Sequence, residues 1–184
     1  MLSLNDYKQN FRPYEIPDVL IKLLEFEHDQ SDYFSSGFEL VDDDKTCVKT
    51  WSENLEFLGS FFPIGQANGS GSTYAIWCRS GELASSPIVI FGDEGGIHIV
   101  AENLMELLRI LTLDIEPIVD LDSFFYPEDV QERSARAADD VKWIESRYQL
   151  KPVAGAQEVM ERVSLAQKRH GGEFRDWLQK YGVE

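Results

Sequence analysis

The chain has 184 residues, 43% of them hydrophobic, and a net charge of −16 at pH 7. This hydrophobic share excludes a disordered chain, and no apolar run approaches the roughly 20 residues that a membrane-spanning helix needs. The charge is uneven: residues 1–128 hold 23 acidic and 7 basic side chains, whereas residues 129–184 hold 10 of each. An acidic field repels nucleic acid and anionic membranes and attracts basic proteins, although acidity also serves solubility alone. We therefore expect neither nucleic acid nor a membrane as a partner.

The change in charge near residue 128 divides the chain into a main domain over residues 1–128 and an extension over residues 129–184. We expect the main domain to be α+β, and the extension to be helical and to pack on it. The first residues lack the layout of a signal peptide. Cys47 and Cys78 show neither metal-ligand spacing nor a disulfide framework. We expect a cytoplasmic protein, and a monomer or weak dimer.

The first third of the chain predicts one helix and one strand. Residues 16–18 begin the helix, because Pro17 suits a first turn and Asp18 complements the positive helix end. The polar run over residues 25–32 predicts its end. Residues 38–41 predict a strand, which ends at a turn formed by Asp42, Asp43 and Asp44. The pattern around Val48 and Trp51 leaves strand and loop both open.

Residues 57–111 organise the rest of the chain. Their short β-branched and aromatic runs, separated by Gly, Asn and Asp clusters, predict an antiparallel meander. Residues 73–78 are apolar on both faces, which predicts a central strand covered by helices on one side and by the tail on the other. Residues 88–91 and 97–100 predict strands joined by a hairpin. Asn103 predicts the cap of a helix that ends at Leu111.

Beyond this stretch, residues 116–128 predict a surface connector held by aromatic side chains. Helices follow over residues 137–148 and 157–181, the second interrupted at Gly171 and Gly172. The predicted fold class is therefore α+β: a mainly antiparallel twisted sheet flanked by helices, with a C-terminal helical extension.

No catalytic residue, metal ligand or cofactor site is predicted. Asp42, Asp43 and Asp44 offer oxygen ligands but lack the glycine and distal glutamate of a calcium loop, so a solvated turn is preferred. Asp93 and Glu94 fit an acid–base pair, but an exposed hairpin tip is the preferred interpretation.

The remaining candidates for chemistry also have structural interpretations. The Gly-rich loop over residues 65–72 leads into a strand rather than a helix, which favours a hairpin over a phosphate cradle. His98 lies inside a strand and is interpreted as a hydrogen-bonded structural histidine.

The order of several motifs resembles the SUKH superfamily over residues 16–111. These motifs are Ile16-Pro-Asp-Val-Leu20, Phe61-Phe-Pro-Ile-Gly65, Asn68-Gly-Ser-Gly-Ser-Thr-Tyr-Ala-Ile-Trp77, Pro87-Ile-Val89, Asp93-Glu-Gly95 and Val100-Ala-Glu-Asn-Leu-Met-Glu-Leu-Leu108. The resemblance implies an α+β domain without enzymatic activity. Bacterial members are immunity proteins that bind and neutralise a cognate toxin, often a nuclease.

The leading hypothesis is accordingly a non-enzymatic immunity protein that binds a basic toxin through an acidic surface. Asp42, Asp43, Asp44, Asp93 and Glu94 are the candidate contact residues. One alternative is a regulatory scaffold whose helical tail recruits another protein. A second is an enzyme or small-molecule binder that uses the loop over residues 65–72.

Overall fold

The computed structural model describes residues 2–30, 32–79, 81–127 and 133–183. A five-stranded antiparallel sheet with the strand order β1-β2-β3-β4-β5 forms its centre. The strands are β1 (Glu39–Leu40), β2 (Phe61–Gln66), β3 (Thr73–Trp77), β4 (Ile88–Phe91) and β5 (Ile97–Ala101). The predicted α+β class and antiparallel meander are confirmed, and the predicted strand at residues 38–41 is a short edge strand.

Helices cover both faces of this sheet. They are α1 (Leu4–Tyr7), α2 (Asp18–Gln30), α3 (Thr46–Lys49), α4 (Leu55–Gly59), α5 (Leu104–Leu111), α6 (Ala137–Tyr148) and α7 (Ala156–Lys180). A separate two-stranded sheet pairs β6 (Ile118–Val119) with β7 (Phe124–Phe125). Within the described ranges, none of the helices has the length and apolar character needed to cross a membrane.

Strand β3 is buried on both faces, as its two apolar faces predict. Tyr74 and Ile76 face a first core, whereas Ala75 and Trp77 face a second core on the other side of the sheet. Successive side chains of a strand point to opposite faces, so this one strand contributes to both cores.

Helices α2 and α5 close the first core with apolar stripes. The stripe residues are Leu20, Leu23, Leu24, Leu104, Leu107, Leu108 and Leu111. Helix α5 begins at its predicted cap: Asn103 Oδ1 accepts the N–H of Glu106 at 3.0 Å. An N-terminal cap of this kind satisfies a backbone donor that the helix itself leaves free.

The C-terminal helix α7 closes the second core. The Phe174 ring lies 4.7 Å from the Trp77 ring and 6.4 Å from the Phe61 ring, measured between centroids. Gln167 Nε2 also donates to the carbonyl of Ile99 at 3.2 Å, so α7 covers the edge strand β5. The predicted boundary between residues 128 and 129 lies outside the described residues.

The predicted interruption at Gly171 and Gly172 is wrong, because α7 runs unbroken from Ala156 to Lys180. Glycine in a helix interior costs up to about 1 kcal/mol relative to alanine. However, the buried positions continue in the same helical phase on both sides of the glycines. These positions are Val159, Val163, Ala166, Phe174 and Trp177. Packing of this single stripe offsets the local cost.

Two expectations in the first third also need correction. Helix α2 continues to Gln30, through residues predicted to be too polar, because Phe26 stacks on Trp143 of α6 with ring centroids 4.9 Å apart. In the same turn Glu27 accepts the N–H of Phe34 at 3.1 Å. The segment around Val48 is neither strand nor loop but the short helix α3.

Candidate functional site

Two hairpin loops meet at one end of the sheet. Residues 67–72 join β2 to β3 and residues 92–96 join β4 to β5, as predicted. The hydroxyls of Ser70 and Ser72 donate to Asp93 Oδ1 at 3.0 and 2.8 Å. Desolvation opposes ionisation, but these hydrogen bonds hold the pKa of Asp93 below its usual range. The charged Asp93 side chain therefore links the two loops by hydrogen bonds.

The Gly-rich loop uses its polar groups internally. Asn68 Oδ1 accepts the N–H groups of Gly71 and Ser72 at 3.1 and 3.0 Å. The N–H of Gly69 donates to Glu116 Oε2 at 3.2 Å. A phosphate cradle needs backbone N–H groups that point at the ligand, and these three are already bonded to the chain's own oxygen atoms.

The segment after α5, residues 114–120, lies beside the two hairpin loops and forms a cleft with them. Asn68 Nδ2 donates to the carbonyl of Pro117 at 3.2 Å, which draws this segment against the Gly-rich loop. The cleft between them has a volume of about 830 Å³. Its carboxylates are Asp93, Glu94, Asp114, Glu116 and Asp120. Among the described residues, no lysine, arginine or histidine lines it.

Four of these five carboxylates are exposed, and the fifth is structural. Asp114 is buried, and its two oxygen atoms accept the N–H groups of Ser36 and Ser134 at 2.8 and 2.6 Å. The four exposed carboxylates give the cleft a concentrated negative charge. Like charges without a cation between them favour a positively charged ligand over a neutral or anionic one.

Strand β6 forms one wall of the cleft and pairs with β7, and we call these two strands the ribbon. The ribbon's buried face consists of Val119 and Phe124, which join the first core. His98 Nε2 bonds to the carbonyl of Asp120 at 2.8 Å, at the ribbon's turn. The predicted hydrogen bonding of His98 is thereby confirmed.

The ribbon packs directly on the backbone of the second hairpin loop. Gly96 has a φ of +84°, and a β-carbon there would clash with the carbonyl oxygen of Asp120 and lie 2.9 Å from that of Leu121. Glycine adopts this conformation without strain and has no β-carbon to clash. Gly96, which lies in the predicted hairpin loop, therefore also permits the close approach of the ribbon.

Replacement of Gly96 by alanine is expected to destabilise the protein by about 2 kcal/mol or more, because backbone strain adds to the clash with Asp120. Urea-induced unfolding measures this change. Gly95→Ala is the matched control: its φ is +116°, but its β-carbon would meet only Leu121 Cδ1, at 3.5 Å. Equal losses of unfolding free energy in the two variants would show that the contact between Gly96 and the ribbon contributes nothing to stability.

The acidic residues singled out in the sequence do not form one site. Asp93 and Glu94 line the cleft. Asp42, Asp43 and Asp44 follow β1, which runs antiparallel to β2 and leads away from the cleft toward the other end of the sheet. There Asp43 Oδ1 accepts the N–H of Thr46 at 2.8 Å and Asp44 pairs with Lys49 Nζ at 2.9 Å.

These local bonds fit the preferred interpretation of a solvated turn. Glu116 and Asp120 complete the cleft and were not predicted as contact residues from the sequence. The available signal was the density of acidic residues in the connector, at positions 114, 116, 120 and 122.

Neither cysteine has the environment of a nucleophile. Burial raises the pKa of the Cys47 thiol, and the nearby Asp43 carboxylate raises it further. Cys78 is buried beneath Gly81, whose N–H lies 3.2 Å from the sulfur. In the described ranges, no group of three or more histidine, cysteine, aspartate or glutamate side chains is arranged to hold a metal ion.

Comparison of the chain with protein-family models, with curated proteins and with solved structures finds no match. The resemblance to the SUKH superfamily therefore stays a prediction that rests on the quoted motifs. The geometry of the cleft and the ribbon is the observation on which a function is proposed below.

Proposed function

We propose that the chain is a cytoplasmic immunity protein of the SUKH kind, which neutralises a basic toxin by binding it without chemistry. The observation that carries this proposal is the cleft with four exposed carboxylates and no basic side chain among its described lining residues. A basic nuclease presents a cationic surface to nucleic acid, and an acidic protein can occupy that surface. Charge complementarity of this kind accelerates association and discriminates between partners.

The distribution of charge supports the same function. Residues 1–128, which include both hairpin loops and the ribbon, carry the whole net charge of −16. Ion pairs within this part are local, as between Lys22 and Glu25 or Lys49 and Asp44. Asp32, Glu56, Glu102 and Glu106 pair with basic side chains of the extension, but none of them lines the cleft. The exposed carboxylates of the cleft can therefore act on a partner at distances up to about a Debye length, roughly 8–10 Å.

The structure gives less support to the alternatives. An enzyme or ligand site in the Gly-rich loop would need backbone N–H groups that Asn68 and Glu116 already occupy. A scaffold that recruits a protein through its tail would need an apolar face there, but the apolar stripe of α7 is buried in the two cores. Leu165 is an exposed exception.

Affinity capture from the native host tests the proposal, together with co-expression with the product of the adjacent upstream gene. We expect a one-to-one complex with a basic, toxin-like protein. Its association rate should fall steeply between low and physiological salt, because screening weakens electrostatic steering. Capture of housekeeping proteins alone would contradict the immunity function and favour the scaffold.

A further inference from the structure

The exposed face of the ribbon carries apolar side chains at adjoining positions. Ile118 and Phe125 are directly opposite each other across the two strands, and they are 40% and 39% exposed. Their neighbours Val119 and Phe124 are also opposite each other but only 6% exposed. Leu121, in the turn between the strands, is 61% exposed. Burial of one face is explained by the core, whereas the apolar character of the other face is not.

This apolar face is held firmly in place. The ribbon's turn is bonded to His98, and the segment before it is bonded to Asn68. After the ribbon, Tyr126 is buried, and its hydroxyl lies 3.4 Å from that of Tyr74 on the central strand. A surface that is ordered before binding loses little conformational entropy when a partner docks.

Carboxylates lie along the side of the apolar face that borders the cleft. Glu94, Glu116 and Asp120 line the cleft beside Ile118, and Asp122 is exposed in the ribbon's turn. Protein interfaces combine an apolar centre with a polar rim. Here the polar groups are acidic, so the complementary surface has apolar side chains flanked by arginine or lysine.

We propose that the exposed face of the ribbon is the docking surface for an amphipathic basic segment of a partner protein. Apolar side chains of that segment pack on Ile118 and Phe125, and its cations enter the cleft. The inference deepens the proposed function and rests on it only for the identification of the partner as a toxin. It also moves the contact surface away from Asp42, Asp43 and Asp44.

A titration of the full-length chain with a synthetic peptide of alternating arginine and leucine tests this surface without the toxin. Nuclear magnetic resonance spectra of the labelled protein report which amides respond. We expect shifts at the ribbon and at the two hairpin loops. A peptide with serine in place of leucine should bind at least about tenfold more weakly, because apolar anchors dominate interface energetics.

Variants of the chain locate the binding. The double variant Ile118→Ser, Phe125→Ser should raise the peptide's dissociation constant about tenfold. Glu94→Lys, at a carboxylate with an exposed side chain, should raise it about three- to tenfold. The matched controls are Leu55→Ser, at another exposed apolar side chain, and Asp42→Lys, at the opposite end of the sheet. Each control should change the constant by less than about twofold.

Shifts centred on the turn after β1, or equal effects of Asp42→Lys and Glu94→Lys, would overturn the proposal. So would ribbon shifts that depend on protein concentration without peptide, because a second copy of the chain would then occupy the face. A different result would show that the immunity function is wrong while the docking surface is right. In that case the peptide binds at the ribbon, but no toxin is captured from the host.

Discussion

Truncation after Pro127 is expected to abolish cooperative unfolding, because the second core loses the side chains of α7. The sheet residues that face this core are Phe61, Ala75, Trp77, Val89, Phe91 and Ile99, all of them buried. Burial of one large apolar side chain contributes about 1.5–3 kcal/mol, and a whole domain is stable by only about 5–15 kcal/mol. Urea unfolding followed by circular dichroism and tryptophan fluorescence should show a broad transition in place of a single step.

A pair of point variants separates this effect from poor expression of the truncated chain. Phe174→Ala should cost about 3–5 kcal/mol, because the ring fills the space between Trp77 and Phe61. Leu165→Ala, in the exposed part of the same helix, should cost less than about 0.5 kcal/mol. A truncated chain that unfolds cooperatively, with both alanine variants equally mild, would mean that the extension is dispensable to the sheet.

The free energy of unfolding is expected to fall as the pH rises from 5 to 8, because Glu27 is buried and holds its proton in the folded state. Desolvation raises the pKa of Glu27 to about 8, and the nearby Glu39 carboxylate adds to the rise. The folded chain therefore binds more protons than the unfolded chain between the ordinary glutamate pKa and about 8. In this window stability decreases with pH, by roughly 2–4 kcal/mol in total.

The same buried region contains a second carboxyl group that acts in the same direction. Burial raises the pKa of Asp140 to about 7, although Arg136, whose Nη2 lies 3.4 Å from Asp140 Oδ1, opposes the rise. Glu27→Gln should remove about half of the dependence on pH, because Asp140 contributes a comparable share. Asp29→Asn, at an exposed carboxylate in the same helix, is the control and should leave it unchanged. Stability that is flat over this window in the parent chain would contradict the account of Glu27.

Elements with a strong local period were predictable from the sequence. Strand β3 follows from a short run that is apolar on both faces, and helix α5 follows from a helical apolar stripe. The cap at Asn103 follows from residue type. The continuation of helix α7 through Gly171 and Gly172 was not predicted, because helix propensity reports only local preference. The apolar stripe that keeps α7 helical there depends on packing against the sheet.

The cleft lies beyond what periodicity can predict. Its residues come from five separate stretches of the sequence, at positions 36, 68–70, 93–94, 114–120 and 127. The ribbon's strands have two residues each, too few to show a period. Asp93 was identified as an exposed acidic residue, but its role depends on Ser70 and Ser72, which only the folded sheet brings near. The charges that act on Glu27 likewise include Arg136 and Asp140, more than 100 residues later in the chain.

The measurement that tests the proposed immunity function most directly is the activity of a toxin captured from the host, assayed with increasing amounts of the chain. A protein that acts by binding abolishes activity in proportion to its amount, with a break at one chain per toxin molecule. We expect this break, and we expect it to be lost at low protein concentration in the Glu94→Lys variant. Complete neutralisation by a small fraction of one chain per toxin would contradict the account, because only a catalyst acts at that ratio.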